Sequence, residues 1–371
     1  MMVVFLTTLL GCTSSPPIQA PPPMAPSDPQ IEDISALLKD IRERHGVPAL
    51  AAAIVEADGV TAMGAVGLRR NDRASGARPD DPFHLGSDTK AMTATLLAVL
   101  SKDHDIGLDT TLADVFPDVE MATAWRQVTI EQLLHHRGGA SKNLLEQHPA
   151  LWAGLWSRNN DSQGARAWFA GELLRQPPDT EPGGFAYSNA GYMLVGAAME
   201  SVTGQSWETL MQKRLFDPLG MSGCGFGAPR GEAPWGHQSG KSGRLTPVDP
   251  NGMVSDNPTG LGPAGTVHCP MIDWGRFLSL HLRRGAGALG LTDADFERMH
   301  APVGEEAYAH GWGVVERPWA DGPILTHAGS NTMWFAVTWL SPEDGRGYLA
   351  VSNVANGEAT NEAIGALIGD E

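Results

Sequence analysis

Three short constellations combine residue types that can move a proton and form a covalent bond. The first is Ser87-Asp88-Thr89-Lys90. A serine hydroxyl is a weak nucleophile at neutral pH and needs a base beside it. A lysine three residues on along a helix shares the serine's face, and the helix N-terminus favours developing negative charge. Lys90 alone among the lysines has a serine three positions earlier. Chance would still supply roughly 0.3 such pairs in this composition, and Ser87 could simply cap the helix. The second constellation is Tyr187-Ser188-Asn189. A tyrosine with its ordinary pKa of about 10 is no base at pH 7, but cationic neighbours can lower it. Asn189 can donate its amide to a substrate carbonyl, whereas Tyr187 taken alone also suits a half-buried aromatic capping a loop. The third is His327-Ala328-Gly329-Ser330, which closes the apolar run Ile324 to Thr326. Gly329 would let a strand edge approach a ligand, and the next backbone N–H could join an oxyanion hole.

Rival chemistries have weaker footing. Twelve histidines are present and His135-His136 are adjacent, but neighbouring helix positions point apart and chelate poorly. They read as polar residues at a helix end. There is no H-E-x-x-H and no cysteine pair at zinc spacing. A G-x-S-x-G nucleophile elbow and a phosphate-binding loop are also missing. The expectation is a reaction with no metal and no organic cofactor.

The elements that would position these residues can be read from periodicity. Ile31 to His45 has helical spacing and stops at Gly46 before Pro48. Ala49–Val55 and Val60–Val66 flank Asp58-Gly59, a strong hairpin signal. From Thr89 to about Leu219 the pattern is mostly helical, with Met92, Leu96, Leu97 and Leu100 on one face. Residues 222–265 are crowded with Gly and Pro and read as long loops. Strands return at 311–315, 324–327, 333–340 and 348–354, and a helix closes the chain from about Glu358 to Ile368. The expected fold is α+β: an antiparallel sheet built from both chain ends and flanked by helices, with a mostly helical insertion.

Taken together and in this order, the three motifs resemble those of the serine β-lactamase-like superfamily. The similar branch holds class C β-lactamases, D-alanyl-D-alanine carboxypeptidases, D-aminopeptidases and related esterases. Leu133 to Gly139, Pro182 to Gly191, Thr203 to Glu208 and Phe216 to Met221 extend the resemblance from about Ile31 to the C-terminus. It implies Ser87 as nucleophile, with Lys90 and Tyr187 sharing the proton transfers. It also implies Asn189 near the acyl group and the N–H groups of Ser87 and Ser330 as the oxyanion hole. The third motif departs from that pattern, being His-Ala-Gly where Lys-Thr-Gly would grip a substrate carboxylate. A histidine that is neutral at pH 7 and an alanine without a hydroxyl grip less well. The resemblance therefore implies hydrolysis of an ester or amide through an acyl-Ser87, by an esterase, amidase or peptidase and not an efficient β-lactamase. The alternatives are a penicillin-binding or β-lactamase-type protein acting on β-lactams or D-Ala peptides, and a non-catalytic scaffold on the same fold. Most of the eleven tryptophans read as core, with Trp334 also placed to line the cleft.

A formal net charge of -17, with no basic stripe to offset it, excludes nucleic acid as a partner and leaves a small molecule or peptide. Residues 1–11 are too short an apolar run to span a bilayer and are similar to a lipoprotein signal, although the segment before Val3 carries no Lys or Arg. Cys12 would then be lipidated, residues 12–30 would form a Pro- and Ser-rich tether, and residues 31–371 would be the hydrolase domain of a periplasmic or otherwise extracytoplasmic lipoprotein. In such a compartment Cys224 and Cys269 can form a disulfide or stand as two buried thiols.

Overall fold

The hairpin signalled by Asp58-Gly59 lies within the main sheet. The computed structural model describes residues 31–284 and 289–369, so the signal segment, the tether and Cys12 lie outside the described residues. Three strands come early: β1 (Glu32–Asp33), β2 (Ala49–Glu56) and β3 (Gly59–Gly67). Five short ones follow: β4 (Phe83–His84), β5 (Gly225–Phe226), β6 (His237–Ser239), β7 (Leu245–Pro247) and β8 (Val267–Cys269). The last four are β9 (Gly313–Val315), β10 (Ile324–Ser330), β11 (Phe335–Ser341) and β12 (Arg346–Ser352). The main sheet has the order β1-β3-β2-β12-β11-β10-β9. Its two halves meet where β12 pairs antiparallel with β2, Ala350 opposite Ala52. Only β1 departs from the antiparallel pattern: Glu32 and Asp33 pair parallel with β3, and the first helix begins at Ser35, later than the apolar spacing suggests.

Seven helices matter here: α1 (Ser35–His45), α2 (Thr89–Leu100), α3 (Ile130–Leu134), α4 (Ser162–Leu174), α5 (Asn189–Thr203), α6 (Met271–Arg283) and α7 (Gly357–Ile368). Leu38 and Ile41 of α1 join Ala359, Ala363 and Ile364 of α7 in an apolar layer with Leu50 and Ala52 of β2. The alternate β2 residues Ala49, Ala51, Ala53 and Val55 belong to the larger core with Trp274, Phe277 and Leu278 of α6. A strand covered on both faces needs apolar side chains at every position, which is why β2 shows no polar alternation. The same holds for α2, where every residue except Ala98 is buried, including Thr93, Thr95 and Lys90. A helix buried all round runs through a core instead of lying on one. Cys224 and Cys269 are bonded, with Cα atoms 4.1 Å apart. The bond holds the approach to β5 against the end of β8, and β8 pairs with β4 just before Ser87.

Candidate active site

Ser87 sits in a 3-10 turn, Gly86–Asp88, that runs straight into α2. No side-chain cap closes the start of α2, so Ser87 is free of the capping role its position suggested. Its side chain is half-buried, whereas Lys90 is fully buried. Lys90 Nζ lies 3.0 Å from Ser87 Oγ. It also donates to Ala264 O at 2.7 Å and Asn189 Oδ1 at 2.8 Å. Two donor bonds use both protons of a neutral amine and leave its lone pair for the serine hydroxyl. Burial lowers the Lys90 pKa to about 7, against a smaller opposing effect of the nearby Asp88. The amine can therefore accept a proton near neutral pH.

Tyr187 stands at the start of the second element. Ser188 caps α5 by accepting from Gly191 N–H at 3.1 Å, and Ser188 Oγ donates to Ser141 O at 2.6 Å. Behind it, His136 adopts a left-handed conformation, φ 59°, and its Nδ1 accepts the Ser188 N–H at 3.0 Å. The backbone of residues 136–139 laces to residues 179–186: Gly183 N–H donates to Arg137 O and Ala186 N–H to His136 O. This is the physical content of the two sequence blocks around Gly139 and Pro182. His136 is thus no exposed helix-end residue but a buried ring 4.2 Å from the Tyr187 ring. The neighbouring Ser87 hydroxyl favours ionisation of Tyr187, yet burial outweighs it and pushes the pKa well above the ordinary tyrosine range. A lowered Tyr187 pKa, expected from cationic neighbours, does not occur. Desolvation is the dominant effect and the nearby Asp88 adds to it, so Tyr187 stays a protonated hydroxyl.

The third element arrives from β10. A Cβ at Gly329 would stand 2.0 Å from Leu85 O and 2.5 Å from Ser87 N, and one at Gly86 would stand 2.3 Å from Ser330 N. Only two glycines allow these backbones to touch, and Gly86 also carries φ 52°. The N–H groups of Ser87 and Ser330 are thereby brought to facing chains, as an oxyanion hole needs. Along β10 the side chains alternate, so Ala328 and Ser330 are exposed while His327 is buried. His327 Nδ1 donates to Ala328 O at 2.9 Å and Nε2 accepts from Tyr308 Oη at 3.0 Å. Burial lowers its pKa to about 3. Both ring nitrogens are used internally, and the side chain facing outward at this motif is the Ala328 methyl.

Three positioning residues escape sequence reasoning. His84 Nδ1 accepts from Gly86 N–H at 3.1 Å, and its Nε2 donates to Asp256 Oδ2 at 2.8 Å. Asp256 Oδ1 accepts from Asn331 Nδ2 at 2.9 Å. The relay ties the nucleophile turn to the tip of β10 across 172 and 75 residues of sequence, for which no local pattern exists. Trp334 stacks on His84, 5.5 Å between rings, and is 1% exposed, so it supports this relay instead of lining the cleft. Asp88 is buried too, without a partner for either side-chain oxygen, and burial drives its carboxyl pKa well up. A cavity of about 230 Å³ opens beside Asn189, lined by Lys142, Leu145, Trp152 and Asn257 among others.

A buried base, a half-buried serine and glycine-paired backbones define a serine hydrolase site of the penicillin-binding-protein and β-lactamase kind. The chain matches the Beta-lactamase family over residues 34–370 and belongs to it. It is 29% identical to penicillin-binding protein 4 of Amycolatopsis lactamdurans over 353 residues, 89% of this chain and 88% of the relative. The octameric penicillin-binding protein homologue from Pyrococcus abyssi shares the fold at TM-score 0.74 and 21% identity, covering 91% of this chain and 77% of that one. A D-stereospecific amidohydrolase from Streptomyces sp. does so at TM-score 0.69 and 22% identity, covering 88% and 97%.

Proposed function

We propose that this protein hydrolyses an ester or amide bond through an acyl-enzyme on Ser87. The observation that carries this reading is the buried Lys90 amine, 3.0 Å from Ser87 Oγ with a pKa of about 7. Ser87 Oγ attacks the carbonyl and passes its proton to Lys90 Nζ. The oxyanion is received by the N–H groups of Ser87 and Ser330. The neutral Tyr187 hydroxyl, which neighbours Ser87, relays the proton from Lys90 to the leaving group, and water then cleaves the acyl-Ser87 ester. Asn189 is held by Lys90 next to the cavity and can orient the acyl group.

An inward His327 and an outward Ala328 methyl give a substrate carboxylate no charged partner at the third motif. This favours esters and amides without that carboxylate over β-lactams. The similarity to penicillin-binding protein 4 supports a second reading, in which β-lactams acylate Ser87 and leave slowly. Labelling with a fluorophosphonate probe tests the nucleophile: Ser87→Ala is expected to abolish it, and undiminished labelling would refute the assignment. A panel of aryl esters, D-amino-acid amides and a chromogenic β-lactam separates the readings. A β-lactam burst without turnover, alongside inert esters, would favour the second. Envelope attachment through a lipidated Cys12 belongs to the same proposal, and loss of membrane association in Cys12→Ser tests it.

A further inference from the structure

The mechanism leaves unused a cluster on the far side of Tyr308. Glu131 and His135 are four residues apart at α3 and its C-terminal end, and His310 follows Tyr308 by two residues. One ligand atom from each lies within 4.8 Å of the others. His135 and His310 are 4% and 2% exposed, and Glu131 is half-buried. His135 Nδ1 donates to Tyr308 O at 2.8 Å, which fixes the tautomer and leaves Nε2 as an acceptor. His310 Nε2 donates to it at 3.1 Å. The ring centroids are nevertheless only 4.6 Å apart, with the planes at 60°. So short a centroid distance means that this hydrogen bond is bent and not linear.

We propose that Glu131, His135 and His310 form a zinc site of two imidazoles and one carboxylate. Zinc–nitrogen bonds of about 2.0–2.1 Å in tetrahedral geometry put two nitrogens roughly 3.3 Å apart, so the present 3.1 Å needs to open by only a few tenths. His310 needs only to move its proton from Nε2 to Nδ1, and no proton is released. The cation that Glu131 faces now is Arg298, at 3.5 Å, and zinc would replace that long contact. His310 also borders a cavity of about 270 Å³ with Asp109, Thr110 and Asp295, which supplies an entry path and room for a fourth, water ligand. Bound zinc would brace the Tyr308 backbone, whose hydroxyl holds His327.

Zinc alone is the probe. Untagged, chelator-washed protein is titrated with Zn²⁺ against a chromophoric chelator, and cobalt is substituted to read the tetrahedral absorption band. One equivalent per chain is expected. Affinity should fall about 10-fold or more in Glu131→Gln and in His310→Gln, and zinc should raise the thermal midpoint of the parent but not of the variants. Glu131 is the less buried ligand, so its variant keeps the test open if His310→Gln does not fold. Binding no tighter than that of the variants, or a cobalt spectrum of octahedral type, would overturn the proposal. Hydrolysis is not read in this experiment, so its outcome is independent of the role of Ser87.

Discussion

Lys90 brings together the demands placed on this site. Its amine donates to Ala264 O and Asn189 Oδ1, and desolvation moves its pKa from 10.5 to about 7. In the proposed mechanism the lowered value makes Lys90 the base, because Tyr187 moves the opposite way. Acylation requires the neutral amine, whose fraction rises with pH up to the pKa. The acylation rate constant should therefore fall tenfold per pH unit below about 7 and level off above it, as read by stopped-flow acylation with an aryl ester. A rate that climbs to pH 10 would show that Lys90 keeps its ordinary pKa. Ser87 with Lys90 and Tyr187 with Asn189 were each legible because each motif is local in sequence, but only the family resemblance joined them into one set. The role of His327 was not, since its inward direction depends on strand alternation and on Tyr308.

Between segments, what matters is how closely they can approach. β10 lies against the nucleophile turn only because Gly329 and Gly86 lack side chains. In Gly329→Ala the new methyl would meet Leu85 O, a backbone atom that cannot swing away. β10 must then withdraw and carry the Ser330 N–H with it. Turnover of an aryl ester should drop by about 10²–10³-fold, the loss usual for one oxyanion donor, while far-ultraviolet circular dichroism stays that of the parent. Retained turnover would mean that Ser330 N–H is not part of the oxyanion hole. The hairpin β2–β3 and the pairing of both chain ends were readable from Asp58-Gly59 and from apolar runs. The α6 helix, with Trp274, Phe277 and Leu278 buried at helical spacing, is masked by the Gly- and Pro-crowded stretch before it. The His84–Asp256–Asn331 relay spans that stretch, and only the folded chain brings its members together.

Across the whole chain, several imidazoles are buried, and burial favours their neutral form. Desolvation lowers His268 to about 4 and His300, His310 and His327 to about 3, from an ordinary 6.5. His136 and His281 are lowered as well. For each, the unfolded chain binds a proton below pH 6.5 that the folded chain refuses until much lower pH. The contribution to stability is therefore intact above 6.5 and lost as pH falls from there toward 3–4. One such group removes about 1.4 kcal/mol per pH unit in that window. The four shift in the same direction, so their losses fall in the same pH window and accumulate. Asp88 and Glu200, whose pKa values burial raises, work in the opposite sense and offset part of the loss. Urea unfolding followed by tryptophan fluorescence should show a midpoint that drops steeply between pH 7 and pH 5. A midpoint unchanged down to pH 4.5 would mean that these rings are already charged, or hydrated, in the native protein.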